Sequence, residues 1–240
     1  MELTARVVTL RLAETFTISR TSQDEADVVQ VEVRHGDTSG FGEAAPIDRY
    51  DESAESALAY VDANAEALGD DPFALDDIFD RLPRGQFAAR NAIDAALYDL
   101  EGKLLGLPVH KLLGLRRSGP PTSWTIWLGD PDDMARRAEA LGNRCRRLKL
   151  KLGGRDSLDV ERVRSVREVT DLPLQVDVNE YWELDEALEN VRALEGLDVQ
   201  YVEQPLPAGD SGGAKLKKES AVPIYVDEDC HTAADVPRCA

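Results

Sequence analysis

Lys151, Asp177, Glu203 and Asp227 each close a short apolar run, at intervals of 26, 26 and 24 residues. That interval is one strand plus one returning helix, so the repeat predicts a parallel sheet that delivers one charged side chain per unit to the same rim. In a β/α barrel this C-terminal rim is where chemistry is done. Three carboxylates gathered there repel one another unless a cation offsets them, and a lysine among them supplies a base.

The rest of the second half follows the same alternation. Strands are predicted at 122–128, 148–152, 174–178, 199–203 and 224–227, with helices at 131–143, 158–169, 183–194 and 214–219 and another beginning near residue 233. A closed barrel needs eight such units and roughly 250 residues. The expected fold is therefore α/β, with about five of eight barrel strands present and two open sheet edges. The first half reads differently. Alternating residues at 3–12 and 28–34, a turn over 36–42 and a third extended piece predict a small antiparallel meander. A helix follows, with Ala89, Ile93, Ala96, Leu97, Leu100 and Leu104 on one stripe and Gly106 and Pro108 ending it. Gly119-Pro120-Pro121 marks the boundary, giving expected domains of 1–118 and 119–240.

Composition narrows the partners. A net charge of −18 argues against nucleic acid or an anionic membrane, since either needs a basic face. Acidic residues are spread throughout and arginines outnumber lysines 21 to 7, a surface suited to a high-salt interior or to an ordinary acidic bacterial enzyme. Cys145, Cys230 and Cys239 lack metal or disulfide spacing. The first sixteen residues carry Glu2 and Glu14 without an apolar core, so no secretory signal is read and a cytoplasmic location is expected.

Strand parity assigns the candidate site. In Leu148-Lys149-Leu150-Lys151-Leu152 both lysines share one face and the leucines the other. Lys151 is expected to be the base and Lys149 its electrostatic neighbour, with crowding of the two ammonium groups lowering the proton affinity of at least one. Asp177 shares its face with Asn179, Glu203 with Tyr201, and Asp227 with Tyr225. An oxygen-only donor set of Asp177, Glu203 and Asp227 suits Mg²⁺, with Mn²⁺ as the alternative and zinc disfavoured. Metal plus lysine suggests removal of a proton next to a carboxylate.

Seven segments resemble the enolase superfamily, in its muconate-lactonizing subgroup, and most nearly the dipeptide epimerases. They are GFGEAAPIDRY at 40–50, RNAIDAALYDLEGKLLG at 90–106, TSWTI at 122–126, LKLKLGG at 148–154, DVN at 177–179, VEQP at 202–205 and VDED at 226–229. The resemblance implies an α+β capping domain before an enolase-type TIM β/α barrel. It also implies metal ligands at Asp177, Glu203 and Asp227, and a KxK motif at Lys149 and Lys151 with Lys151 as acid/base. Asn179 and Glu228 would stand behind the ligands, and Arg20 and Tyr50 would belong to loops closing over a small carboxylate substrate. The implied chemistry is Mg²⁺-dependent α-proton abstraction through an enediolate. A dipeptide epimerase is expected first, and muconate cycloisomerase or o-succinylbenzoate synthase chemistry second. The family's second lysine, on a sixth strand, and its last-strand acidic motif would fall beyond residue 240. The chain is thus expected to be C-terminally truncated, and a catalytically impaired, metal-binding fragment is the third reading. Relatives of this kind commonly assemble, so a homo-oligomer is also expected.

Overall fold

The computed structural model describes residues Met1–Cys239, which form two compact units. The first comprises residues 1–13 and 25–119; the second comprises 14–24 and the chain from Pro120 onward.

β1 (Glu2–Thr17), β2 (Ser22–His35) and β3 (Thr38–Ala44) form a sheet in that order, in the first unit except for residues 14–24 of β1, β2 and their connection. β2 and β3 are antiparallel from Val29↔Ala44 to His35↔Thr38. Their connection is only two residues long, with Gly36 at φ 58°. The turn expected over 36–42 is therefore mostly strand. Gly40 and Gly42 are not turn glycines: a Cβ on either would overlap the backbone of the following long helix at Ala96 or Ala92.

That unit's helices are α1 (Ala54–Ala63), α2 (Leu75–Arg81), α3 (Phe87–Leu105) and α4 (Val109–Leu112). Ser53 and Ser56 close a reciprocal cap on α1. The buried Glu52 carboxylate accepts from the Phe87 and Ala88 N–H groups and so satisfies the start of α3. Ala89, Ala92, Ile93, Ala96, Leu97 and Leu100 of α3 are fully buried. Leu104, expected on the same stripe, is 36% exposed in the last turn of α3, which stops at Gly106, φ 66°.

The second unit is a five-stranded parallel sheet of β4 (Trp124–Ile126), β5 (Leu148–Lys151), β6 (Leu174–Asp177), β7 (Val199–Glu203) and β8 (Ile224–Tyr225), in sequence order. α5 (Pro131–Leu141), α6 (Asp159–Val169), α7 (Leu184–Ala193) and α8 (Gly213–Glu219) alternate with the strands, and α9 (Val236–Cys239) comes last. This is the partial barrel that the repeat predicts. Leu148, Leu150, Leu152, Val176, Val178 and Val202 are wholly buried in one cluster with Val163, Val166 and Leu216. Each such side chain contributes about 1.5–3 kcal/mol by leaving water. Residues 14–24 join this unit: Leu128 N–H donates to the Thr17 carbonyl at 2.9 Å, and the Phe16 ring lies 6.2 Å from that of Trp127.

β8 is shorter than expected, ending at Tyr225 rather than Asp227. The backbone N–H groups of Asp227 and Asp229 turn instead to the side-chain oxygen of Gln204, at 2.9 and 3.3 Å, so the chain leaves the sheet there. The three cysteines are free, and among the described residues no helix is long and apolar enough to cross a membrane.

Candidate active site

The register sets the charged row. Lys151 is aligned with Asp177 across β5 and β6, and Asp177 with Glu203 across β6 and β7. Glu203 is aligned with Tyr225, and Asp227 follows two residues later, beyond the end of β8. Tyr201, two residues before Glu203 on β7, stacks its ring on that of Tyr225 at 4.3 Å and 2° between planes.

Lysines and carboxylates interlock on this row. Lys151 Nζ donates to Asp177 Oδ2 at 2.6 Å and to Asn179 Oδ1 at 2.9 Å. Lys149 Nζ lies 2.9 Å from the same Asp177 oxygen and donates to Glu203 Oε1 at 2.6 Å. Asp177 Oδ1 accepts from the Asn179 N–H at 3.0 Å. Burial works against the Asp177 charge, but the two ammonium groups outweigh it and hold its carboxyl below the usual range. Lys149 behaves likewise in reverse: burial would lower its proton affinity, yet Asp177 and Glu203 raise it above the ordinary lysine value. Lowered proton affinity from ammonium crowding, expected for at least one of the pair, is therefore not found at Lys149.

Glu203 and Asp227 go the other way. Burial pushes the Glu203 carboxyl up, and repulsion from Asp177 and Asp227 adds to it against the Lys149 bond. Burial also raises Asp227, with Glu228 and Asp177 adding repulsion. Among the described residues no three His, Cys, Asp or Glu side chains stand close enough to hold an ion; Asp177 and Glu203 are paired with the lysines instead. The donor chemistry nevertheless fits a hard divalent cation. The donors are all oxygens, they stand at or just beyond the ends of three successive parallel strands, and burial with carboxylate repulsion raises two of the three.

Behind this row lies a second network. Glu228 is buried and gives one oxygen, Oε1, to both Arg20 at 2.8 Å and the Asn179 side-chain amide at 3.1 Å; Oε2 is buried without a hydrogen bond. Arg20 also donates to the Asn179 carbonyl at 3.1 Å and to Glu180 Oε2 at 3.0 Å. Arg20, expected to meet a substrate carboxylate, is thus engaged by carboxylates of the chain itself. Tyr50 lies in the first unit, in the short turn Asp48–Tyr50, with the Arg49 guanidinium 5.9 Å from its ring.

Sequence reasoning missed Gln204. It is buried and left-handed (φ 38°), accepts the Asp227 and Asp229 N–H groups, and donates to Leu206 O and Asp229 Oδ2, each at 2.9 Å. Its position immediately after Glu203 was the available signal. Asn179 and Glu180 are also left-handed, at φ 49° and 70°, so the chain leaves both β6 and β7 through strained non-glycine residues.

An N-terminal α+β unit, a parallel β/α unit and a Lys-x-Lys strand facing acidic strand ends define an enolase-type protein. The chain belongs to the mandelate racemase / muconate lactonizing enzyme family: residues 1–114 match the family's N-terminal domain, and residues 133–240 match the enolase C-terminal domain-like family. It is similar to an L-Ala-D/L-Glu epimerase of Bacteroides thetaiotaomicron, with 35% identity over 98% of this chain and 63% of that protein. It is also similar to an L-Ala-D/L-amino acid epimerase of Pedosphaera parvula, with 38% identity over 96% of this chain and 70% of that one. A crystal structure of a dipeptide epimerase from Enterococcus faecalis, complexed with Mg and L-Leu-L-Tyr, superposes with TM-score 0.93 at 29% identity, covering 99% of this chain and 70% of that one. The chain thus spans about two thirds of the length of the proteins it matches.

Proposed function

We propose that this chain carries the metal-binding and proton-abstracting part of a dipeptide epimerase, an isomerase acting on a small dipeptide. The observation that carries the reading is Lys151 Nζ, fixed between Asp177 Oδ2 and Asn179 Oδ1 at the C-terminal end of β5. Two bonds to fixed oxygens hold the amine at a defined point on the rim, as a general base requires. Epimerase names among relatives matching nearly the whole chain favour this substrate class over cycloisomerase chemistry.

Asp177, Glu203 and Asp227 would hold Mg²⁺, or Mn²⁺ in its place. When bound, the ion would supply the positive charge that makes a proton next to a carboxylate acidic enough for an amine. Lys149 stays protonated, as its raised proton affinity favours, and holds positive charge beside Asp177 and Glu203. Lys151 takes the α-proton and can return it to the same face. Asn179 orients that amine, and Glu228 orients Asn179.

The test is exchange of the α-protons of L-Ala-L-Glu in D₂O, followed by NMR with Mg²⁺ or with EDTA. Exchange reads the half-reaction assigned to Lys151 without requiring inversion. Exchange is expected with Mg²⁺, and none with EDTA or in Lys151→Ala of unchanged circular dichroism. Exchange retained by Lys151→Ala would overturn the assignment.

A further inference from the structure

The turns that follow β4, β5 and β6 are tied to one ion pair in the first turn of α6. Asp159 is 3% exposed. Its carboxylate accepts four donors: the N–H of Gly153 at 2.9 Å, the N–H of Gly154 at 3.2 Å, the Trp182 indole N–H at 2.7 Å and Arg162 at 3.1 Å. Arg162, as deeply buried, sends Nε to the Gly129 carbonyl at 2.7 Å and its fork to Asp156 at 2.8 and 2.6 Å. Gly129 lies just beyond β4, Gly153 two residues beyond Lys151, and Trp182 three beyond Asn179.

We propose that Asp159, with Arg162, is a positioning residue for the reaction: it locks the ends of β5 and β6 together so that Lys151 keeps its place against Asp177 and Asn179. The inference rests on the role given to Lys151 above. Asp159 touches neither Lys151 nor the acidic row in any hydrogen bond or ion pair; it acts through backbone. The turn is shaped to admit it. Gly153 sits at φ 92°, where a Cβ would press on Ser19 and Tyr181, and a Cβ on Gly154 would strike the Arg162 fork. Four donors converge on the carboxylate, so an amide at this position would turn its own N–H groups toward other donors and leave the turns loose. A shift of about 1 Å at a catalytic group can cost about a hundredfold in rate, so loosening should appear in kcat before binding.

The experiment compares the full chain with Asp159→Asn, with Trp182→Phe, which removes a single donor and keeps a ring, and with Val166→Ala, a core change on α6 away from the rim. Two readouts are taken: kcat and KM for α-proton exchange of L-Ala-L-Glu with Mg²⁺, and backbone hydrogen exchange of 152–154 and 179–182. Trp182→Phe is expected to lower kcat about tenfold with KM within about twofold, and Asp159→Asn to lower it further. Val166→Ala should lose melting temperature while keeping kcat. In Trp182→Phe the amides of 152–154 should exchange faster although that substitution touches only the β6 side. Loss of kcat in proportion to melting temperature across all three variants would overturn the proposal, as would wild-type protection at 152–154 in Trp182→Phe. If the parent chain shows no exchange of the dipeptide, the functional reading fails, and the clamp is judged on amide exchange alone.

Discussion

Lys151 and Asp177 are register partners on adjacent strands, and their side chains meet at 2.6 Å with Asp177 almost wholly buried. Lys149 reaches the same oxygen at 2.9 Å, so one carboxylate oxygen serves two ammonium groups. The charge balance of the row therefore depends on both lysines being present.

Lys149→Met should expose that dependence. It leaves Glu203 without its ammonium partner and Asp177 with one instead of two. Removing one member of a buried ion pair costs about 3–5 kcal/mol, and the 22% exposure of this lysine side chain places the loss nearer about 2–3. Urea denaturation without metal should show that loss, and added Mg²⁺ should recover part of it. An unchanged midpoint would contradict the account.

Asp227 gives a pH signature. Its carboxyl is raised from 3.8 by burial and by repulsion from Glu228 and Asp177. The stabilising contribution of its protonated form is complete below about pH 4 and lost as pH climbs through the raised value. Asp227→Asn mimics the protonated form. The metal-free variant should melt higher than the parent at pH 7, by a few tenths of a kcal/mol after screening by solvent, and equally at pH 4. It should also gain less from Mg²⁺. A lower melting temperature at pH 7 without metal would refute the repulsion argument.

The glycines of β3 are predicted to be intolerant. Gly42→Ala drives a methyl into the Ala92 backbone of α3, which cannot swing aside as a side chain can. The expected loss is about 3 kcal/mol or more. Gly119→Ala, where no atom lies within 4 Å, should stay within about 0.5 kcal/mol of the parent. Equal melting temperatures for the two variants would show that β3 and α3 are not packed in this way.

The net charge of −18 predicts a salt response. Screening falls from about 10 Å at 0.1 M to about 3 Å at 1 M, so mutual repulsion among surface carboxylates fades over that range. The melting temperature should climb from 0.1 to 2 M KCl; a flat or falling trace would remove the salt-adapted reading.

What the sequence made legible follows from simple periods. A strand alternates faces, so Lys149 and Lys151 had to share one, and the recurring interval had to set Lys151, Asp177 and Glu203 side by side. The final step was not legible, because β8 ends early at a side-chain oxygen of Gln204, and no periodicity reports where a buried amide will intercept a backbone. The same limit hid Arg20's partners: Glu180 and Glu228 lie 160 and 208 residues away in the chain. Nothing in the sequence singles out Asp159 and Arg162, which stand in the predicted helix 158–169 as an acidic residue in the first turn and a basic one three residues later, a common helix start. Only the meeting of three strand ends over that turn gives it another meaning. Gly40 and Gly42 misled for a local reason, since glycine signals a turn and a close helix crossing alike.

The orphaned Oε2 of Glu228 has a bearing on how the site could diversify. Its companion oxygen already receives Arg20 and Asn179, so a polar group added nearby can be accommodated without dismantling either bond. The turns bound to Asp159 have no such spare valence, and a change in any one of them unsettles its neighbours. A hydrogen-bond donor introduced beside Glu228 should therefore be tolerated better than any change to the four donors that Asp159 accepts.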